Sequence, residues 1–268
     1  MPNAQSRYQA HMQCLASTPL KIGALDLRVR LKEQCHLKMH GEVDVSHGEI
    51  SVQADLSPKQ RVLVAWAGIF EAIAYSHSQH LCKLEENQAH SAAAGLMLLI
   101  EANPHLTNAF LELADTSGET PVATEPGLSL RIGRATYVVK TMTALAGTFQ
   151  GVLGMCHSER KNKKIVIQER LPARVGLLIL LHELFHAFHA EGGVADNRHE
   201  SFEYFDAQAQ GLVAFARTNW PVLKWICESS AKRTLPGTLE QLRLSCPGWN
   251  FRHAQESAKL VGLRKVVG

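Results

Sequence analysis

The sequence predicts an α+β protein assembled as a tandem duplication, and three observations predict it. Two short segments alternate in polarity, around Ile50 and Val52 and around Ile165 and Ile167, and read as strands. Each is followed by an apolar stretch that opens on a proline, Pro58 or Pro172, where the fixed φ suits a first helical turn. The segments also match one another. Ile50-Ser51-Val52-Gln53-Ala54-Asp55-Leu56 lies over Ile165-Val166-Ile167-Gln168-Glu169-Arg170-Leu171 at a spacing of 115 residues. Without a gap, that spacing brings Ala67-Gly68-Ile69-Phe70-Glu71-Ala72-Ile73 over His182-Glu183-Leu184-Phe185-His186-Ala187-Phe188.

The remaining elements follow in pairs. The first helix of each half runs from Ser57-Pro58 to near Ser76, and from Pro172 to Gly192-Gly193. A second helix covers roughly Leu84 to Ala102 and, in the other half, His199 to Thr218. Asn103-Pro104 and Trp220-Pro221 close these helices, because a residue before proline is biased away from the helical region. Gly95-Leu96 matches Gly211-Leu212 and Asn103 matches Asn219 at a spacing of 116, while Ile22-Gly23 matches Ile132-Gly133 at 110. Loop insertions and deletions produce such drift, and a repeat of this length reads as two copies of one unit. The polar, turn-rich stretch from Asp115 to Pro121 divides them, giving units at residues 1–115 and 121–268.

Composition excludes several functional classes. With 46% hydrophobic and 20% charged residues the chain resembles an ordinary globular protein. A net charge of +3 is too small to call for nucleic acid or an anionic membrane, so neither is an expected partner. The cluster Arg160-Lys161-Asn162-Lys163-Lys164 reads as a solvated turn. No apolar core follows Arg7, so no secretion signal is expected, and the runs at 92–100 and 177–181 are too short to span a bilayer. The six cysteines are scattered without a Cys-x-x-Cys pair, which fits reduced, mostly buried thiols of a cytoplasmic protein.

The chemistry concentrates at His182-Glu183-Leu184-Phe185-His186. Residues four apart on a helix share a face, so His182 and His186 can reach one ion, and imidazole is a good zinc ligand. Glu183 projects just beside them, where it can take a proton from a water whose pKa the ion lowers toward ~7. This is why His-Glu-x-x-His reads as a zinc metallopeptidase signature. The motif ends the apolar run from Val175 to Leu181, and burying two histidines and a carboxylate there is costly unless they are paired or bind metal. A catalytic zinc needs a third protein ligand, for which the next helix offers candidates. Glu203 is preferred, since it aligns with Asn87 of the half whose other metal positions are replaced; Glu200 is next, followed by His189, His199 and Asp206. His189 is also a candidate outer donor or a half-exposed surface residue, and Tyr204 and His199 are candidates to steady an oxyanion.

At these residues the chain resembles the zincin metallopeptidases, specifically the gluzincin-like, ImmA/IrrE-type group. The match is a strand, then Leu181-His182-Glu183-Leu184-Phe185-His186-Ala187, then a helix with an acidic residue before Ala209-Gln210-Gly211-Leu212. The resemblance implies a short antiparallel sheet packed on a catalytic helix and a second helix. It also implies zinc held by His182, His186 and a glutamate of the second helix, with Glu183 as general base, cleaving a peptide or protein substrate. The strand from Lys163 to Glu169 is implied to pair with that substrate. The departure from the family is the doubling. In the first half Ala67, Gly68 and Glu71 stand where His182, Glu183 and His186 stand in the second, so that copy keeps the apolar frame and lacks the ligands. The competing reading is a regulatory or binding protein with a structural or relic zinc site.

Overall fold

A computed structural model describes residues 4–35, 40–77, 86–103, 128–132, 134–143, 153–159, 161–192 and 201–231. In chain order these form α1 (Ala4–Ser17), β1 (Leu20–Ile22), β2 (Leu25–Lys32), β3 (Gly41–Asp44), β4 (Glu49–Gln53), α2 (Pro58–His77) and α3 (Glu86–Ala102). There follow β5 (Leu128–Ile132), β6 (Ala135–Met142), β7 (Gly154–His157), β8 (Lys164–Gln168), α4 (Ala173–Gly192), α5 (Ser201–Thr218) and α6 (Trp220–Ala231). The protein is α+β, as expected. The segment from Asp115 to Pro121 lies outside the described residues.

Each half carries one sheet, ordered β1-β2-β4-β3 in the first and β5-β6-β8-β7 in the second. The sheets are mixed, which corrects the expected antiparallel arrangement. β1 with β2 and β3 with β4 are antiparallel, but β2 runs parallel to β4. The chain leaves β2 for the far edge of the sheet before turning back, so β4 enters alongside β2 in the same direction. The registers correspond residue for residue: Val29 faces Ile50 as Val139 faces Ile165, and Gly41 faces Val52 as Gly154 faces Ile167. In the first hairpin Gly23, at φ +59°, sits in the two-residue turn between the paired Ile22 and Leu25, a conformation a side chain rarely adopts.

The helix boundaries follow the expected signals. Ser57 and Gln60 cap α2 reciprocally: Gln60 N donates to Ser57 Oγ at 3.5 Å, and Ser57 N donates to Gln60 Oε1 at 3.2 Å. Pro58 takes the first helical position. Trp220-Pro221 does end α5, but it also opens α6, where Pro221 occupies a first-turn position whose N–H would have no partner.

The halves share one apolar core rather than building two. α2 packs on α5 of the other half, and α3 packs on α4. The matched residues Phe70 and Phe185 meet edge to face, ring centroids 5.6 Å apart and planes at 90°. The matched glycines mark the closest helix approaches. A Cβ on Gly95 would fall 2.1 Å from Phe188 Cγ, and one on Gly211 would fall 2.1 Å from Ile73 Cγ2. The matched asparagines form clasps. Asn103 receives Arg131 N (3.1 Å) and donates to Arg131 O (2.7 Å), while Asn219 receives Lys21 N (2.8 Å) and donates to Lys21 O (2.7 Å). Each half thus grips the first strand of the other by a two-bond amide pairing, which satisfies backbone groups at a sheet edge.

α1 lies on α2, where Trp66 Nε1 donates to His11 Nε2 at 3.2 Å. Burial pushes the His11 pKa down to about 4. A histidine kept neutral in the fold takes up a proton near pH 6.5 only after unfolding, so below that value the unfolded state binds more protons. Stability is therefore expected to fall as pH drops from about 6.5 to 4. Melting curves of the wild type and His11→Gln should show this slope reduced in the variant.

Candidate metal centre

α4 is seated by its apolar face: Leu177, Ile179, Leu180, Leu181, Leu184 and Phe185 are buried. This seating carries His182 and Glu183 into the interior, at 1% and 4% exposure, and leaves His186 partly open. The two imidazoles turn toward each other with their Nε2 atoms 3.1 Å apart. Two nitrogens each ~2.05 Å from one tetrahedral ion must stand roughly 3.3 Å apart, so this separation is close to that of a zinc pair.

Asp206 of α5 lies behind His182, its Oδ1 2.6 Å from His182 Nδ1. A proton on Nδ1 donates to that carboxylate and leaves the lone pair of Nε2 facing His186. Asp206, a candidate ligand after Glu203 and Glu200 alongside His189 and His199, makes its contact with the far nitrogen of His182. The residue before it, Phe205, is fully buried and walls the pair, with its ring centroid 4.4 Å from His186 and 5.8 Å from His182. It also stacks on Phe185 with planes only 11° apart.

Glu183 sits between α4 and the edge strand β7. A Cβ on Gly154 would lie 2.6 Å from Glu183 Oε1 and 2.4 Å from Ile179 Cγ2, so only glycine lets the strand backbone pass so near the carboxylate. In the first half the same approach is made by Gly41 to Val64 Cγ1, at 2.3 Å. Gly68, the counterpart of Glu183, has no room for a side chain: its Cβ would meet Ile50 Cγ2 at 2.6 Å. Ala67, the counterpart of His182, is buried. The first half has closed over the place where the second keeps its polar residues.

The remaining candidates fall as follows. Glu203 lies in α5 with its side chain outside the described residues, and Glu200 and His199 lie outside them altogether. Among the described residues no three His, Cys, Asp or Glu side chains gather into a complete ligand set. His189 is buried rather than half-exposed and packs edge-on against Phe205 at 4.7 Å. Tyr204 is buried as well, and burial, then the charge of Glu71, raises its pKa. Its hydroxyl belongs to the boundary between α5 and the first half.

Two expectations are corrected. The strand from Lys163 to Glu169 cannot pair with a substrate, because β8 is interior, bonded to β6 on one side and β7 on the other. Its backbone groups are already used. Beside Glu183 lies β7, the last strand in the sheet order. Within the basic cluster, Lys163 is not a solvated turn residue: it pairs with Glu191 near the end of α4. Tyr137 donates to the same Glu191 Oε1 at 2.8 Å, with Lys163 Nζ 5.5 Å from the centre of its ring. This group ties the C-terminal end of α4 to the sheet, and Arg160 lies outside the described residues.

Cys14, Cys35, Cys156 and Cys227 are not joined in disulfides. No described helix is long and apolar enough to cross a membrane. The chain matches no family model, no curated protein and no solved structure.

Proposed function

We propose that this chain is a zinc-dependent metallopeptidase made of two copies of a minimal zincin unit, a degenerate one in residues 1–115 and an active one in 121–268. The observation that carries the reading is the convergence of the His182 and His186 Nε2 atoms, with Glu183 beside them against strand β7. The donor set fits zinc in kind: two imidazoles from one helix face, one of them backed by a carboxylate. Glu203, or in its place Glu200, completes it as third ligand. Zinc held there would supply Lewis-acid chemistry, polarising a carbonyl and easing the ionisation of water.

The chain's own residues do the rest. Asp206 holds the His182 ring in the tautomer that presents Nε2. Glu183 takes the proton of the attacking water and returns it to the leaving amine. The competing reading is a binding protein in which the same two imidazoles hold a structural or relic zinc. Removing metal with a chelator and returning zinc decides between them. Cleavage of an unfolded polypeptide that stops with the chelator and resumes with zinc supports the peptidase; zinc binding without cleavage rejects it.

A further inference from the structure

We infer that the degenerate first half is a positioning element for the metal centre, acting through α5. This rests on the proposed zinc site and assigns a role to residues far from it. α5 brings Asp206 to His182 and Phe205 to His186, so the orientation of both imidazoles depends on where α5 lies. Two polar side chains, Gln208 of α5 and Asn219 just after it, are anchored in the first half. Gln208, fully buried, donates from Nε2 to Phe70 O at 3.1 Å. Asn219 makes its two-bond clasp with Lys21. Between these anchors, Gly211 lets α5 close onto Ile73 of α2 with no room for a methyl group.

The anchors run along the length of the helix, so together they set its height and its distance from α4. Asp206 stands two residues before Gln208, one turn or less from the bond to Phe70. A shift of α5 by a few tenths of an ångström is felt at once in the 2.6 Å contact with His182. The first half can dispense with ligands and still be needed, because what it supplies is the register of the helix that orients them. Without its counterpart, α5 would have its Asp206 and Phe205 contacts to α4 but lack these fixed points along its other face.

The test uses the full chain and a compensating pair outside the site. Gly211→Ala forces α5 away from Ile73, and Ile73→Ala on the same chain restores the space. Two readouts are taken: the zone of the proton NMR spectrum where the hydrogen-bonded His182 Nδ1–H resonates, in metal-free protein, and zinc affinity by competition with a chelator. Gly211→Ala should lose or broaden that resonance and bind zinc about 10-fold more weakly, the size of effect seen when an outer partner of a metal histidine is disturbed. The double variant should regain both. If Gly211→Ala does not fold, Gln208→Leu carries the test, with the same two losses expected. A folded variant with an unchanged resonance and unchanged affinity, or a folded double variant that regains neither, overturns the inference. Should the wild type bind no zinc, the proposed function fails, while the metal-free resonance still decides whether the first half positions His182.

Discussion

Glu183→Gln is expected to keep zinc and to lose peptide hydrolysis by roughly 10²–10⁴-fold, the usual worth of a positioned general base. The amide keeps the size and shape of the carboxylate. It therefore fits the same space between α4 and Gly154, where a Cβ would come within 2.6 Å of the Glu183 oxygen. What it loses is the ability to accept a proton. His182, His186 and Asp206 are untouched, so the imidazole pair keeps its 3.1 Å separation and its backing carboxylate. Zinc content and cleavage rate measured on the same preparation separate the two roles. Full activity in the variant removes Glu183 from the mechanism.

Phe205→Ala is expected to cost about 3–5 kcal/mol of stability, the range for emptying a buried aromatic site. Phe205 is fully buried and touches His182, Phe185, His186 and His189, so no single neighbour can fill the space it leaves. For a chain of this size that loss lowers the melting temperature by roughly 6–20 °C. Zinc affinity should fall along with it, since the wall that holds the two imidazoles side by side is gone. Phe205→Leu, which refills most of the volume, should recover most of the stability. A melting temperature unchanged in Phe205→Ala would show that the ring is not the keystone of this part of the core.

Much of this fold was readable from the residues because its strongest signals are local. Pro58, Pro172, Asn103 and Gly192 punctuate helices whose ends they mark within a residue or two. The ungapped match from residue 50 to residue 73 reappears as equal sheet orders and equal registers. The sheets were less legible. β1, β3 and β7 have only three or four residues each, too few for alternation to show, and the direction of β2 against β4 depends on the route of a connection. The meaning of Gly95, Gly211, Asn103 and Asn219 was hidden for a different reason. Their matching spacing was visible, but each acts on a residue of the other half, and no periodicity reports a contact made between distant segments.

The site divides along the same line. His182 and His186 lie four apart on one helix, where spacing alone predicts a common face, and Glu183 is next to them in the chain. Asp206 comes from another element, and the alignment of Glu203 with Asn87 drew attention one turn away from it. One signal pointed to Asp206: it is the acidic residue of α5 that immediately follows the buried aromatic pair Tyr204-Phe205, at the margin of the helix's core face. An acid at such a place needs a partner, and a buried histidine is the natural one.

Zinc at His182 and His186 calls for a third ligand, the carboxylate of Glu203 of α5 or of Glu200 before it in the sequence. Metal analysis of the purified full chain, with Glu203→Ala and Glu200→Ala variants alongside, tests it most directly. The account predicts about one zinc per chain in the wild type, the stoichiometry of a site with two converging histidines and a third ligand. It predicts that Glu203→Ala loses most of that zinc while Glu200→Ala retains it, or the reverse if Glu200 is the ligand. A wild type that takes up no zinc, or two variants that both bind it as tightly as the wild type, would contradict the account.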